Sequence, residues 1–221
     1  MCGRYSLEYD DDQYKKRYDL INELKGFKSS YNIRPETEQP VILTHSPNHV
    51  ELMKWGFIPG FAEHQEKPLH LINIKFEGLM KPWVHKNFQF NRCIIGVSGF
   101  YEPKGPKEMK HRPQYYFSVK GEKYFSLAGI YREYKNPKGH TENRYAIITI
   151  SPGDVVGKVH DRSPWILNKE DEDAYLNPDN VEAEELFELN RPFKGKLQSW
   201  PVSLRVNQWG QDDPELIKQE N

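Results

Sequence analysis

The chain has 221 residues, enough for one ordinary domain built on a sizeable core in which Tyr, Phe and Trp supply 13% of positions. Its charges nearly cancel, with 31 Lys and Arg against 32 Asp and Glu, so a global attraction to nucleic acid is excluded and any polyanion site must be a local patch. The two cysteines, Cys2 and Cys93, exclude a disulfide framework, and without a C-x-x-C pair they exclude a zinc site built on thiolates.

No segment approaches the run of about 18 apolar residues that a membrane span requires, and the start lacks the basic and apolar regions of a signal peptide. The expected setting is a reducing, cytoplasmic one. From the N-terminus, "CGRYSLE" reads as a first strand and "YDDDQYKKRYDLINELKG" as a helix. Tyr14, Tyr18, Ile21 and Leu24 would share its buried face, and Gly26 would stop it. "QPVILTH" and "VELMKWGF" read as strands, and "FEGLMKPW" as a short helix ended by Pro82.

"RCIIGVSGFYE" is a nearly continuous apolar run, which predicts one long central strand buried on both faces, with Cys93 inside it. "PQYYFSVKGEKYFSLAGIYREY" predicts a hairpin turning at Gly121-Glu122, and "RYAIITIS" a further strand. "KEDEDAYL" and "VEAEELFELN" predict two surface helices, the second opened by Asn180; "LQSWPVSLRV" closes the core. The polar stretch from about 210 to 221 is expected to fray. Strands outnumber helices and do not alternate with them. The expected fold class is therefore α+β, a single domain over 1–221, with a curled, mostly antiparallel sheet or an open barrel.

Cys2 is the unusual residue. Removal of Met1 would leave an α-amine of pKa about 7.7–8.0 and a thiol near 8.5 on one carbon. At pH 7.4 roughly a quarter of such amines are neutral, against about 0.1% of lysine amines. An amine of this kind condenses with an aldehyde to an imine, and the neighbouring thiol can close on the imine carbon to give a thiazolidine. An internal cysteine cannot do this.

Four other stretches place polar groups where a core has no need of them. "LHLINIKFE" puts Asn73, Lys75 and Glu77 on one face of an extended segment. "VSGFYEPK" ends a buried strand at Glu102, whose desolvated carboxyl should titrate nearer neutrality and suit acid–base work. "KVHDRSPWIL" sets His160, Asp161 and Arg162 in a turn, and "YNIRPE" presents Asn32 and Arg34 in a loop. Each also has a plain structural explanation: a satisfied backbone, a lysine partner, a surface turn. The eight histidines form no H-E-x-x-H, and Pro47 separates His45 from His49, so no metal is expected.

The order of the motifs goes further. "MCGRY", "YNIRP", "MKWGFIP", "INIKFE", "RCIIGVSGFYE", "YAIIT", "VHDRSP" and "VSLRVN" run in sequence across nearly the whole chain. Together they resemble the SOS-response-associated peptidase (SRAP) family, whose members cross-link to abasic sites in DNA. The resemblance implies a single α+β domain with its N-terminus in a cleft. It implies a thiazolidine between Cys2 and the ring-opened abasic deoxyribose in single-stranded DNA. It assigns Cys2 as nucleophile, Asn73, Glu102 and His160 as its helpers, and Arg4, Asn32, Arg34, Lys75 and Arg162 as DNA-binding residues.

Neither a cofactor nor a second copy of the chain is implied. Three positions depart from the family's pattern: Lys75 stands where arginine is usual, Pro103 where tryptophan often follows the glutamate, and Ser163 where methionine is common. These touch DNA affinity more than chemistry, since lysine lacks the planar fork of arginine. Trp55 is read as core in preference to a base-stacking residue. Two other functions compete: a cysteine peptidase using Cys2 on its own Met1 or on other proteins, and a non-covalent single-strand binding module.

Overall fold

The computed structural model describes residues 2–136 and 139–220. Among these it forms one α+β domain in which two β-layers carry the core. The first layer is an antiparallel sheet in the order β12 (Leu197–Val202), β8 (Gln114–Val119), β7 (Gly99–Pro103), β1 (Arg4–Leu7) and β2 (Ser30–Ile33). The second closes on itself. β10 (Thr141–Ile150), β4 (Ser46–Trp55), β3 (Glu38–Leu43), β6 (Arg92–Val97) and β9 (Phe125–Lys135) pair in a ring that returns from β9 to β10. The β10–β4 pairing is parallel and the others are antiparallel, so the barrel is mixed. Closure removes the edges that an open sheet would leave for aggregation.

Two short strands extend β10: β5 (Asn73–Lys75), parallel to it, and β11 (Ser163–Pro164), antiparallel. The helices are short: α1 (Asp11–Tyr18), α2 (His85–Phe90), α3 (Asp154–Gly157), α4 (Glu172–Leu176) and α5 (Ala183–Glu188). None is long and apolar enough to cross a membrane.

The expected fold class holds, and several local expectations do not. Helix α1 stops at Tyr18, because Asp19 takes the left-handed conformation (φ 51°) and its N–H caps the Lys15 carbonyl. Ile21, expected on the buried face, is 65% exposed. The stretch "FEGLMKPW" forms only a 3₁₀ turn at Phe76–Gly78, and the α-helix begins after it, at His85. Glu77 therefore leaves the strand that holds Asn73 and Lys75. Helix α5 is opened by Glu182 rather than Asn180.

The long apolar run divides at Ser98 into β6, in the barrel, and β7, in the sheet. Both halves are buried, so no change in hydrophobicity marks the crossing. Gly99 makes it possible: a Cβ there would lie 2.2 Å from the Tyr116 ring. The expected hairpin at Gly121-Glu122 is likewise a crossing between layers, since β8 pairs with β7 and β12 while β9 pairs with β6 and β10. The C-terminal stretch is docked, not frayed. Leu216 is fully buried, Trp200 Nε1 donates to the Ile217 carbonyl at 2.8 Å, and the Glu220 N–H donates to the Pro201 carbonyl at 2.9 Å.

The layers meet through aromatic side chains. The hydroxyls of Tyr5 (β1) and Tyr145 (β10) lie 2.6 Å apart, and the Tyr5 ring sits 5.1 Å from that of Trp55. Trp55 is fully buried and donates its Nε1–H to the Ile72 carbonyl at 2.9 Å, so it belongs to the core. This seam brings the start of β1 beside β5 and the end of β7.

Candidate active site

Cys2 lies two residues ahead of the start of β1 and is fully buried. Its register follows from the sheet: Arg4 pairs with Tyr101 of β7, so the chain ahead of Arg4 runs past Glu102. From the barrel side, Asn73 at the start of β5 donates its Nδ2–H to the Cys2 carbonyl at 2.7 Å. Asn73 Oδ1 is buried and has no hydrogen-bond partner. It is an unused acceptor beside the same residue. The Cys2 thiol lies 3.6 Å from the Arg4 carbonyl.

Glu102 is also fully buried. Loss of hydration pushes its carboxyl up to about 7, and the charge of Asp161 adds to the rise. The same burial, reinforced by the field of Glu102, holds the Cys2 thiol far above its ordinary range. The thiol is therefore kept as S–H.

His160 lies beyond α3, where its N–H donates to the Val156 carbonyl at 2.8 Å, as in a helical turn. Its Nε2 comes within 3.6 Å of Glu102 Oε2. Its Nδ1 faces the Arg162 backbone N–H at 3.1 Å, the Arg162 carbonyl at 3.3 Å and Asp161 Oδ1 at 3.0 Å, a mixed set of one donor and two acceptors. Burial lowers the histidine pKa, so the ring is neutral at pH 7. Cys2, Asn73, Glu102 and His160 thus come from four separate stretches of sequence to one place.

The five residues expected to bind DNA behave differently from one another. Arg4 and Arg34 stand together: the field of Arg34, after burial, lowers the Arg4 pKa. Arg4 Nη1 donates to Asn207 Oδ1 at 2.8 Å, and Arg34 donates to the carbonyls of Val206 and Gln208. Asn32 is buried and donates to the Val206 and Gln211 carbonyls at 3.0 and 2.7 Å. All three therefore hold the C-terminal segment. Lys75 is exposed. Arg162 is engaged, its guanidinium forming a bidentate pair with Glu77 at 2.7 and 2.9 Å that holds the Glu77 carboxyl below its usual range.

Sequence reasoning missed Arg112. It sits in the loop between β7 and β8, which is closed at its base by the Lys104 N–H on the Pro113 carbonyl at 2.8 Å. Its positive field reaches both Glu102 and His160. The signal was the basic stretch "KGPKEMKHR", one proline beyond the glutamate. Among the described residues, no group of three or more His, Cys, Asp or Glu is arranged to hold a metal ion. A cavity of about 600 Å³ lies elsewhere, between Phe76, Val155, Ile166 and Phe193. It does not reach Cys2.

The sequence of residues 1–209 matches the family model described as SOS response associated peptidase (SRAP). Abasic site processing protein YoqW of Bacillus subtilis is 32% identical over 99% of both chains. Abasic site processing protein HMCES of Mus musculus is 24% identical, over 98% of this chain and 75% of its own. In three dimensions, a crystallised protein of Bacteroides thetaiotaomicron superposes over all of both chains with a TM-score of 0.87 at 22% identity. A match that spans the fold, the N-terminal cysteine and the stretches that surround it places the chain in the SRAP family.

Proposed function

We propose that this protein captures abasic sites in single-stranded DNA as a thiazolidine on Cys2, after removal of Met1. The observation that carries the reading is the meeting of Cys2 with Glu102, a buried carboxyl that titrates near neutrality. Met1 itself, and so its removal, lies outside the described residues. The names of the matching relatives agree with this substrate.

Each step has a group to serve it. An abasic deoxyribose rests mainly as a cyclic hemiacetal. Protonated Glu102 donates to the ring oxygen as the C1′–O4′ bond breaks, and loss of the C1′ hydroxyl proton leaves the aldehyde. The Cys2 amine adds to C1′, water departs, and the imine forms; Asn73 Oδ1 is placed to accept a hydrogen bond from that amine. Sγ then bonds to C1′ while its proton passes to nitrogen. One water is lost overall, and no oxidant or cofactor enters. His160, a neutral imidazole beside the Glu102 carboxyl, is placed to exchange a proton with the sugar or with Glu102.

The protonation states favour this order over thiolate proteolysis. A cysteine peptidase needs its thiolate, and burial drives the Cys2 thiol the other way. The amine can attack first, because it is the stronger base left in the pocket, and the S–H then adds to an electrophile already formed. Phosphates beside the lesion would be held by Arg4, Arg34, Lys75 and Arg162, with Asn32 bracing the segment behind them. This local patch reconciles a balanced net charge with a polyanionic ligand.

The test is a denaturing gel. The purified chain, mixed with a single-stranded oligonucleotide bearing one abasic site, should give a heat-stable shifted band, and an undamaged strand should not. Binding without a covalent band would instead support a non-covalent module.

The Glu77–Arg162 pair yields a separate expectation. Glu77 neutralises a cation that the DNA would otherwise meet. Glu77→Gln should tighten binding at low salt and steepen the slope of log K against log salt by about 0.7, the value of one more phosphate contact on a single strand. An unchanged slope would remove Arg162 from the DNA contacts.

A further inference from the structure

Trp209 is 92% exposed. Of the other tryptophans, Trp55 and Trp165 are fully buried, while Trp83 and Trp200 are partly buried against neighbouring rings. A fold gains nothing from an indole left in water, since burying such a ring is among the larger single gains available to a chain.

The backbone around Trp209 is nonetheless fixed. On one side, Val206 is fully buried and the Asn207 carboxamide holds Arg4. On the other, Gly210 turns the chain at φ 76°, and the Gln211 carbonyl takes Asn32. Asp212 accepts from Ser30 Oγ at 2.9 Å and from the Tyr31 N–H. The ring is thus presented from a pinned turn, and its face is open.

Two cations hold the segment just ahead of it. Arg4 and Arg34 both donate into this segment, onto carbonyl and carboxamide oxygens, and neither forms an ion pair with a carboxylate among the described residues. Two guanidinium groups thus anchor the segment that carries Trp209. Arg4 is two residues from Cys2, and Trp209 is two residues from the asparagine that Arg4 touches.

We infer that Trp209 is a stacking platform for a nucleobase of the lesion-bearing strand, just outside the phosphate held by Arg4 and Arg34. This rests on the reading of the protein as a single-strand DNA binder. An open aromatic face beside backbone-tracking cations is the arrangement by which single strands are held without regard to sequence. The platform would set the path of the strand past the pocket and would add affinity that does not depend on which base flanks the lesion.

The experiment uses undamaged oligothymidine and the intrinsic tryptophan fluorescence of the parent, Trp209→Phe and Trp209→Ala. The parent should bind with strong quenching of its solvent-exposed emission. Trp209→Phe should bind within about twofold of the parent but lose most of the quenching. Trp209→Ala should bind about tenfold more weakly, the typical loss for one stacked base, with an unchanged salt slope because no charge is removed. Quenching that persists in Trp209→Phe, equal affinity in Trp209→Ala, or a parent that does not bind oligothymidine would each overturn the platform.

A second readout separates this from the function it rests on. Oligothymidine quenching that depends on Trp209, with no heat-stable adduct on an abasic strand, would keep the platform and reject the cross-linking. An adduct with oligothymidine affinity indifferent to Trp209 would do the reverse.

Discussion

Glu102→Gln is expected to slow adduct formation on an abasic strand by on the order of 10²–10⁴, the usual contribution of a positioned general acid–base group. Affinity for undamaged single-stranded DNA should stay close to that of the parent. The pH dependence gives the finer test. The parent needs Glu102 protonated, which holds below about 7, and the Cys2 amine neutral. That second condition is met above about 7.7–8.0. Its rate should therefore trace a bell centred between those values. Glu102→Gln should lose the alkaline fall and keep the acid limb, because the amine still titrates. A bell of unchanged shape would assign the alkaline limb to another group.

The same substitution should stabilise the fold at high pH. The folded-state pKa of Glu102 is raised from 4.5 to about 7. As pH rises through this window the unfolded chain ionises the carboxyl freely and the folded chain does not. Stability is thus lost from pH 4.5 upward, and the loss is complete above 7. It is on the order of 3 kcal/mol. Thermal melts at pH 8 should show Glu102→Gln above the parent, with the gap closing near pH 5. A variant both slower and more stable is what a carboxyl held for chemistry should give.

Cys2→Ser should abolish the heat-stable adduct, a loss of at least about a hundredfold in band intensity. The amine survives this change, so an imine still forms, but a hydroxyl does not close on it to a lasting sulfur ring. Borohydride added during the reaction should therefore trap a covalent band with Cys2→Ser. A heat-stable band of parental strength from Cys2→Ser, without reductant, would show that sulfur is not part of the linkage. No band even with borohydride would show that the amine is not the attacking group.

The sequence marked the residues that meet at the candidate site better than it marked the topology. Short polar stretches announced Cys2, Asn73, Glu102 and His160, and the structure sets them together because β1, β5 and the end of β7 share the seam between the layers. Crossings between layers left no such mark. Residues 92–103 read as one strand because both halves are buried, and only the close approach at Gly99 marks where the chain changes sheet. The early stop of α1 rests on Asp19 accepting a left-handed conformation, which a helical pattern reaching to Gly26 concealed.

Long-range charge pairs were equally silent. Glu77 and Arg162 are 85 residues apart in sequence, and nothing local says that one neutralises the other. The roles of Asn32 and Arg34 also lay beyond a sequence reading, because both act on a C-terminal segment that looked too polar to dock. That segment is held through its backbone carbonyls and through Asp212, and hydropathy does not register such contacts.

Peptide mass mapping of the cross-linked product probes the covalent claim at atomic level. After the strand is digested away, the sugar remnant should be found on the N-terminal peptide, with Met1 absent and both the nitrogen and the sulfur of Cys2 consumed. A remnant on a lysine, or on a peptide that still begins with Met1, would contradict the account.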